Sequence, residues 1–323
     1  MKNDGPVLIV STIADAATDE VVRRLADRGV ACLRVNTENY PFAGSLSTTF
    51  DSTGEQPSIA FDGKPVSMPA SIWYRRMRAP SRPEDLDVGI YDFCLQENRA
   101  ALLGTILGLH ARWMNHPQAV WQAENKPYQL SVASSLGLHI PRTLISNNPQ
   151  DIRAAFANFG DMIVKPVRSG YFVREGQEYS VFTSRVVSAH LDELDSAKLS
   201  PSIYQELIPK RFDLRITIVG RKVFAVAIDS QSDPAAAVDW RHTENPLLPH
   251  HSVSLPTNLE QRLLALMDAF GLSFGAVDMI ETPEHDFVFL EVNPSGQWLW
   301  LDDILALGIS DVVADWLARQ DLP

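Results

Sequence analysis

Short apolar runs alternate with amphipathic stretches along the first third of the chain. Val7 to Val10 is a run of four apolar residues and predicts a buried strand. A helix should follow, capped by Thr18 or Asp19, with Val21, Val22 and Leu25 as its apolar stripe and Gly29 at its end. Ala31 to Val35 predicts the next strand, so the chain opens as β–α–β, a doubly wound α/β start. No G-x-G-x-x-G follows the first strand, which leaves dinucleotide binding there without support. Residues 41 to 70 are rich in Pro, Gly, Ser and Thr and predict hairpins or loops. Ser71 to Tyr74 is another strand, and Arg75, Arg76 and Arg78 come directly after it. Asp92 to Trp113 predicts one long helix with a largely apolar face, and His116-Pro117 breaks it at a first boundary.

The middle of the chain changes rhythm. Leu130 to Leu136 has a helical pattern that Gly137 ends, and His139 to Ile145 carries Pro141, which suits an edge or the start of a strand. A helix is expected over Pro149 to Phe159 and a strand over Met162 to Pro166. Val167 to Gln177 holds two glycines among polar and aromatic residues and reads as a mobile loop. Beyond residue 200 strands dominate. Ser202 to Leu207 is one, Asp213 to Ile228 is a hairpin turning at Gly220-Arg221, and Phe274 to Glu281 and Phe287 to Asn293 are two more. Helices are expected at Glu260 to Phe270 and around Asp311 to Ala318.

Composition narrows the class. At 323 residues the chain suits two or three domains, or one large one, with two the default on a prior of about 150 residues each. Hydrophobic residues make up 45% and charged residues 21%, which fits an ordinary globular protein. The formal net charge of −12 repels phosphate backbones, so nucleic acid is a poor partner, and any bound anion must be held by individual Lys and Arg residues. Two cysteines, Cys32 and Cys94, exclude a disulfide scaffold and a Cys-rich zinc site. The longest apolar stretch, Ala100 to Leu109, is about half the roughly 20 residues needed to cross a bilayer, and no signal peptide is legible. The expected location is cytoplasmic, without membrane attachment.

Candidate chemistry concentrates in the last two strands. If Glu284-His285 forms a two-residue turn, Asp278 falls opposite Glu291, and Asn293 shares their face by the period of two. Facing carboxylates destabilise each other unless a cation or a shared proton intervenes. Oxygens of Asp, Glu and Asn on one platform suit Mg²⁺. A solvated strand edge with one salt-bridged carboxylate explains the same residues equally well. Lys165 ends an apolar strand ahead of the Gly170 loop, either binding an anion or snorkelling to water. Arg215 shares a strand face with Asp213, which a surface ion pair would also explain. Trp298 and Trp300 read as core or contact residues, and His242, His250 and His251 as loop histidines.

Taken in order, these segments resemble a known family. Asn125-Lys126, Ile140-Pro-Arg-Thr143, Ile163-Val-Lys-Pro166 with its glycine loop and Ile203-Tyr-Gln-Glu-Leu-Ile208 come first. Asp213-Leu-Arg215, Asp239-Trp-Arg241, Asp278 and Leu290-Glu-Val-Asn-Pro-Ser-Gly-Gln-Trp-Leu-Trp300 complete the series. The series is similar to the ATP-grasp ligases over roughly residues 117 to 320. Ile72-Trp-Tyr-Arg-Arg76 and the Gly-Gln-Trp-Leu-Trp run narrow the resemblance to the microviridin-type peptide ligases, the graspetide synthetases. It implies a pre-ATP-grasp α/β domain at 1–116, a central ATP-grasp lobe at 117–200 and a C-terminal lobe at 201–323, the last two α+β in character.

The resemblance also implies roles. Lys126 and Lys165 would hold the phosphates of ATP; Gln205, Glu206, Leu207 and Ile208 would form the adenine hinge; Asp213 would meet the ribose. Arg215 and Arg241, with Lys165, would act on phosphate and the developing acyl phosphate, and Asp278, Glu291 and Asn293 would bind Mg²⁺. The implied reaction activates Asp or Glu side chains of a ribosomal precursor peptide and closes ω-esters with Thr or Ser, or ω-amides with Lys. Arg75, Arg76 and Arg78 would either attract the acidic core of that peptide or form a structural salt-bridge cluster. Two other readings stay open: an amino-acid-adding ligase of the ribosomal-protein glutamate ligase type, and an ATP-binding regulatory module without turnover. A homodimer is the default assembly.

Overall fold

The computed structural model describes residues 5–52, 58–66, 68–168, 170–174, 177–242 and 248–319. Contacts divide the chain into two compact units, residues 1–117 with 272–274 and 297–323, and residues 118–271 with 275–296.

The first unit is built on β1 (Val7–Ser11), α1 (Ala16–Asp27) and β2 (Cys32–Asn36). Three short strands follow, β3 (Leu46–Thr49), β4 (Ser58–Phe61) and β5 (Lys64–Val66), and then β6 (Ser71–Tyr74), α2 (Val88–Leu107) and β7 (Arg112–Met114). The four strands β2-β1-β6-β7 form a parallel sheet whose apolar residues Leu8, Val10, Val35 and Ile72 pack with Leu102 and Ile106 of α2. The segment from 41 to 70 supplies the antiparallel sheet β3-β4-β5. Two expectations are corrected here. Asp15, not Thr18 or Asp19, caps α1, because its carboxylate accepts both the Thr18 N–H and the Ser11 hydroxyl. The long helix runs over 88–107 rather than 92–113. Asp87 caps it earlier, through Gly89 N and Ile90 N, and residues 112–114 instead pair in parallel with β6. Sheet pairing overrides local helical pattern there.

Residues 297–323 complete this unit with two helices, Leu299–Leu305 and Ile309–Ala318. Trp298 is fully buried, its ring 5.9 Å from Trp73 and 4.9 Å from Phe274, and its indole N–H donates to Ser310 Oγ at 3.0 Å. Core packing is therefore its role. Arg75 is 1% exposed, with its guanidinium 4.8 Å from the Trp298 ring centre. It donates to Gln297 Oε1 at 2.9 Å and lies 3.4 Å from the buried Asp15 carboxylate. A desolvated charge needs such partners, so Arg75 belongs to the structural core, while Arg78 stays exposed.

The second unit begins within α3 (Pro117–Ala123), at residue 118, and continues with α4 (Lys126–Ser135). Next come β8 (Thr143–Ser146), α5 (Pro149–Phe159), β9 (Met162–Lys165), β10 (Tyr171–Arg174), β11 (Gln177–Ser180), β12 (Ser184–Val186) and β13 (Ser202–Glu206). One antiparallel sheet has the order β12-β9-β13-β8, packed against α5 through Ile152, Met162 and Tyr204. The segment expected as a loop after Pro166 forms a hairpin in its described residues. Tyr171 pairs with Ser180, and Phe172 stacks on Tyr179 at 5.2 Å. Cross-strand aromatic pairs of this kind stabilise a short ribbon that glycine content alone would predict as irregular.

The remaining elements are β14 (Phe212–Val219), β15 (Lys222–Ile228), β16 (His250–Val253), α6 (Thr257–Phe270), β17 (Phe274–Glu281) and β18 (Phe287–Asn293). They form the sheet β16-β15-β14-β17-β18. The β14–β15 hairpin closes on Val219 and Lys222 over Gly220-Arg221, with Gly220 at φ +59°. The last hairpin differs from expectation. Thr282 N donates to Asp286 O, and His285 takes φ +65°, so the turn has three residues, Pro283 to His285. That offsets the register by one, giving Glu281 opposite Phe287 and Met279 opposite Phe289. An irregularity between Asp278 and Met279 absorbs the extra residue, and Asp278 still faces Glu291. Among the described residues no helix is long and apolar enough to cross a membrane.

Candidate active site

The second unit holds a cavity of about 1180 Å³. Its lining includes Lys126, Lys165, Gln205, Glu206, Leu207, Ile208, Asp213, Arg241, Asp278, Glu291 and Asn293. Arg215 joins them through Asp278, donating from Nη1 to both carboxylate oxygens at 2.9 Å. Residues scattered over some 170 positions of sequence thus meet at one place, because the ends of β9, β13, β14, β17 and β18 and the start of α4 border the same space.

Asp278 and Glu291 face each other across the strand pair, and each carries its own cation. Lys126, the first residue of α4, reaches Glu291 at 2.8 Å, and Arg215 reaches Asp278. Burial pushes the Asp278 carboxyl up, against the pull of Arg215 and with the help of the neighbouring Glu291 charge. Burial also pushes on Glu291, but Lys126 and Lys165 outweigh it and hold that carboxyl below its usual range. Asn293 is exposed, and its Oδ1 accepts the Ser295 N–H at 2.9 Å, an Asx turn that leaves a second lone pair on the oxygen. Among the described residues no group of three or more His, Cys, Asp or Glu could hold a metal ion. The oxygen set here is two carboxylates and one amide.

Gly296 is required by this packing. A Cβ there would collide with Ala276 Cβ and lie 3.0 Å from Arg215 Nη2. The Asn-Pro-Ser-Gly turn therefore needs glycine for the Arg215 guanidinium to lie over Asp278.

Lys165 stands apart from the other cations. Among the described residues no carboxylate closes on it as Glu291 closes on Lys126. Burial pushes its ammonium down to about 8, against the attraction of Glu291. Arg241 is held differently. Its Nε and Nη2 donate to Asp239 at 2.9 and 2.8 Å, and Asp239 also accepts the Thr183 N–H at 3.2 Å. Burial pushes the Asp239 carboxyl up, but the bonds from Arg241 win and hold it down at about 2.

At the β13 end, Gln205 is buried and donates from Nε2 to Thr143 Oγ1 at 2.8 Å, while its Oε1 has no hydrogen-bond partner among the described residues. Glu206 accepts the backbone N–H and the guanidinium of Arg142. Leu207 N donates to Asp161 O at 2.8 Å, and Ile208 lines the wall. Asp213 is buried among Lys210 Nζ at 2.8 Å and the Ser230 hydroxyl at 2.5 Å, and burial raises its carboxyl. Lys210 was not singled out by the sequence; its spacing of three from Asp213 was the signal. Gln129 was missed too, although it lies one helical turn after Lys126.

This geometry can be set beside known proteins. The family model described as the MvdD pre-ATP grasp domain matches residues 6–121. A RiPP-associated ATP-grasp ligase of Chryseobacterium gregarium, solved with ADP and a leader and core peptide, is 32% identical, covers 98% of this chain and 99% of its own, and superposes with a TM-score of 0.90. This chain belongs to the RiPP-associated ATP-grasp ligases. The ligase is also similar to the macrocyclase MdnC of Microcystis aeruginosa MRC, solved with the precursor peptide MdnA, at 33% identity over 96% of this chain and 98% of that one, with a TM-score of 0.86. The alpha-aminoadipate–LysW ligase LysX of Sulfurisphaera tokodaii is 22% identical over 229 residues, 64% of this chain and 73% of its own. Like its family, the ligase is an ADP-forming enzyme that joins a carboxylate to an amine or an alcohol.

Proposed function

We propose that the ligase binds ATP in this cavity and uses it to close macrocycles in a ribosomally made precursor peptide. The observation that carries the reading is Lys165, a half-buried cation on which no carboxylate closes among the described residues, lining the same cavity as the Asp278, Glu291 and Asn293 oxygens. A polyphosphate supplies the charge Lys165 lacks. Lys126 joins it there once Glu291 is shared with a divalent ion. Gln205 Oε1, buried and without a hydrogen-bond donor among the described residues, is an acceptor suited to the exocyclic amine of adenine. Glu206, Leu207 and Ile208 border the same end, and Asp213 is the ribose contact, held in place by Lys210.

The donor set fits Mg²⁺, which takes hard oxygens from one or two carboxylates and completes its shell with phosphate and water. Asp278, Glu291 and Asn293 would hold it, and it would supply charge neutralisation at the transferred phosphoryl group. The rest of the work falls to this chain. Arg215 and Arg241 sit where charge develops as a peptide carboxylate takes the γ-phosphoryl group from ATP, and their own carboxylates, Asp278 and Asp239, fix their orientation. A Thr or Ser hydroxyl then displaces phosphate to give an ω-ester, or a Lys amine gives an ω-amide. The likeness to a RiPP-associated ligase bound to leader and core peptide and to a macrocyclase bound to its precursor peptide supports this over the amino-acid-adding alternative.

Intact-mass analysis of an acidic precursor peptide, incubated with the purified ligase, ATP and Mg²⁺, tests the reading. One water mass is lost per ring, with one ADP formed. A gain in peptide mass identifies amino-acid addition, and nucleotide binding without ADP across a peptide panel identifies a regulatory module. Light scattering of the same preparation checks the proposed homodimer, and fractionation checks the proposed cytoplasmic site of action.

A further inference from the structure

Helix α4 presents two side chains, three residues apart, to the edge strand β18. The first is Lys126, bound to Glu291. The second is Gln129, which is 2% exposed and reaches Val292, the residue between Glu291 and Asn293. Gln129 Nε2 donates to Val292 O at 2.9 Å and to Ala123 O at the end of α3. Its Oε1 accepts the Val292 N–H at 2.9 Å. Both amide hydrogens and the amide oxygen are thus committed to main-chain groups.

The position of this contact matters. β18 is the edge of its sheet, so β17 satisfies only one side of its backbone, and outward groups need another partner. Gln129 acts as one residue of a missing next strand. Just before it, the ladder is interrupted where the hairpin absorbs its extra residue between Asp278 and Met279. A bulged edge is a weak place to mount side chains that must hold a fixed separation. Val292 is the single residue whose neighbours on both sides, Glu291 and Asn293, carry candidate metal-binding oxygens. Lys126 can hold the end of the Glu291 side chain, but a flexible ammonium stem does not hold a backbone.

We propose that Gln129 is a positioning residue for the divalent-ion site, fixing the separation of the Glu291 and Asn293 oxygens through the backbone of Val292. The proposal rests on the Mg²⁺ reading above. The test compares wild type with Gln129→Met, which keeps the length of the side chain and removes its hydrogen bonds. ADP affinity is measured by calorimetry in EDTA and in saturating Mg²⁺, and amide exchange is followed across residues 287–293. Affinity in EDTA stays close to wild type, because Lys126 and Lys165 are untouched. The enhancement by Mg²⁺ falls roughly tenfold or more, the usual cost of removing an outer-shell support, and the Val292 amide exchanges faster. Full Mg²⁺ enhancement in Gln129→Met overturns the proposal, whatever the exchange rate. If wild type itself binds ADP equally in both media, and Glu291→Gln is silent in both, the metal reading has failed and takes the proposal with it. Should Gln129→Met not fold, Gln129→Asn, whose amide is one methylene short, is held to the same outcomes.

Discussion

At the scale of single residues, the site is made of charges whose environments oppose one another. Lys165 is the clearest case. An ammonium with an ordinary value of 10.5 that titrates near 8 in the folded protein costs about 3 kcal/mol at neutral pH. The unfolded chain then binds more protons than the folded one between pH 8 and 10.5. Stability contributed at this position is lowest below pH 8, rises through that window and levels off above it. Lys165→Met should therefore raise the denaturation midpoint at pH 7, lose this pH dependence and abolish ADP formation. Urea titrations of both proteins at pH 7 and pH 10 check it, and a variant no more stable than wild type at pH 7 contradicts the reading. Gly296→Ala acts oppositely. The added methyl group meets Ala276 and crowds Arg215, so about 1 to 3 kcal/mol of stability and most activity should be lost. Thermal melts and turnover assays report both.

At the scale of elements, the hairpin β17–β18 decides whether the oxygens share a face. The three-residue turn and the bulge each displace the register by one residue, and together they return Glu291 to its place opposite Asp278. Because side chains alternate along a strand, a glycine inserted between Glu291 and Val292 should turn Asn293 to the other face and abolish the Mg²⁺ dependence of nucleotide binding. A glycine inserted between Glu284 and His285 lengthens only the turn and should leave that dependence intact. Calorimetry with ADP separates the two insertions. Equal effects of both would show that register is not what matters. The β10–β11 ribbon offers a second constraint. Gly170 has φ +65°, and a Cβ there would sit 2.6 Å from Val181 O, so the ribbon can start only on glycine.

At the scale of the whole molecule, the chain returns to its beginning. Residues 297–323 group with residues 1–117, and Trp298, Leu301, Ile309, Val313 and Leu317 are all fully buried. Further ties run from the Ser71 hydroxyl to Leu317 O at 2.8 Å and from Arg28 to Asp311 and Asp315. A fragment of residues 1–116 should therefore fail to fold alone, although its sequence reads as a complete α/β domain. Far-UV circular dichroism and proteolysis of the fragment check this, and a cooperative melt would refute it. Trp298→Ala in the full chain should cost about 3 to 5 kcal/mol, since it opens a cavity around the Arg75 guanidinium.

Most elements can be read from the sequence alone, along with the residue types that line the candidate site. Strands at 274–281 and 287–293 and the helix at 149–159 follow from strong periodicity bounded by Pro, Gly and capping residues. The shared face of residues 278, 291 and 293 is legible from strand alternation and Lys165 from the cost of a charge at the end of an apolar strand, whereas Lys126 enters only through the family resemblance. Packing in three dimensions fixed three further things. It turned 112–114 from helix to strand, because a parallel neighbour with open hydrogen-bonding groups outweighs local propensity. It set the hairpin register, since turn length and bulge compensate each other and neither is readable from alternation. It also assigned partners: Arg215 to Asp278 on a neighbouring strand rather than to Asp213, and Gln129 to a backbone 163 residues away. Periodicity records which face a residue occupies, but the identity of its partner depends on contacts that form only when distant segments pack.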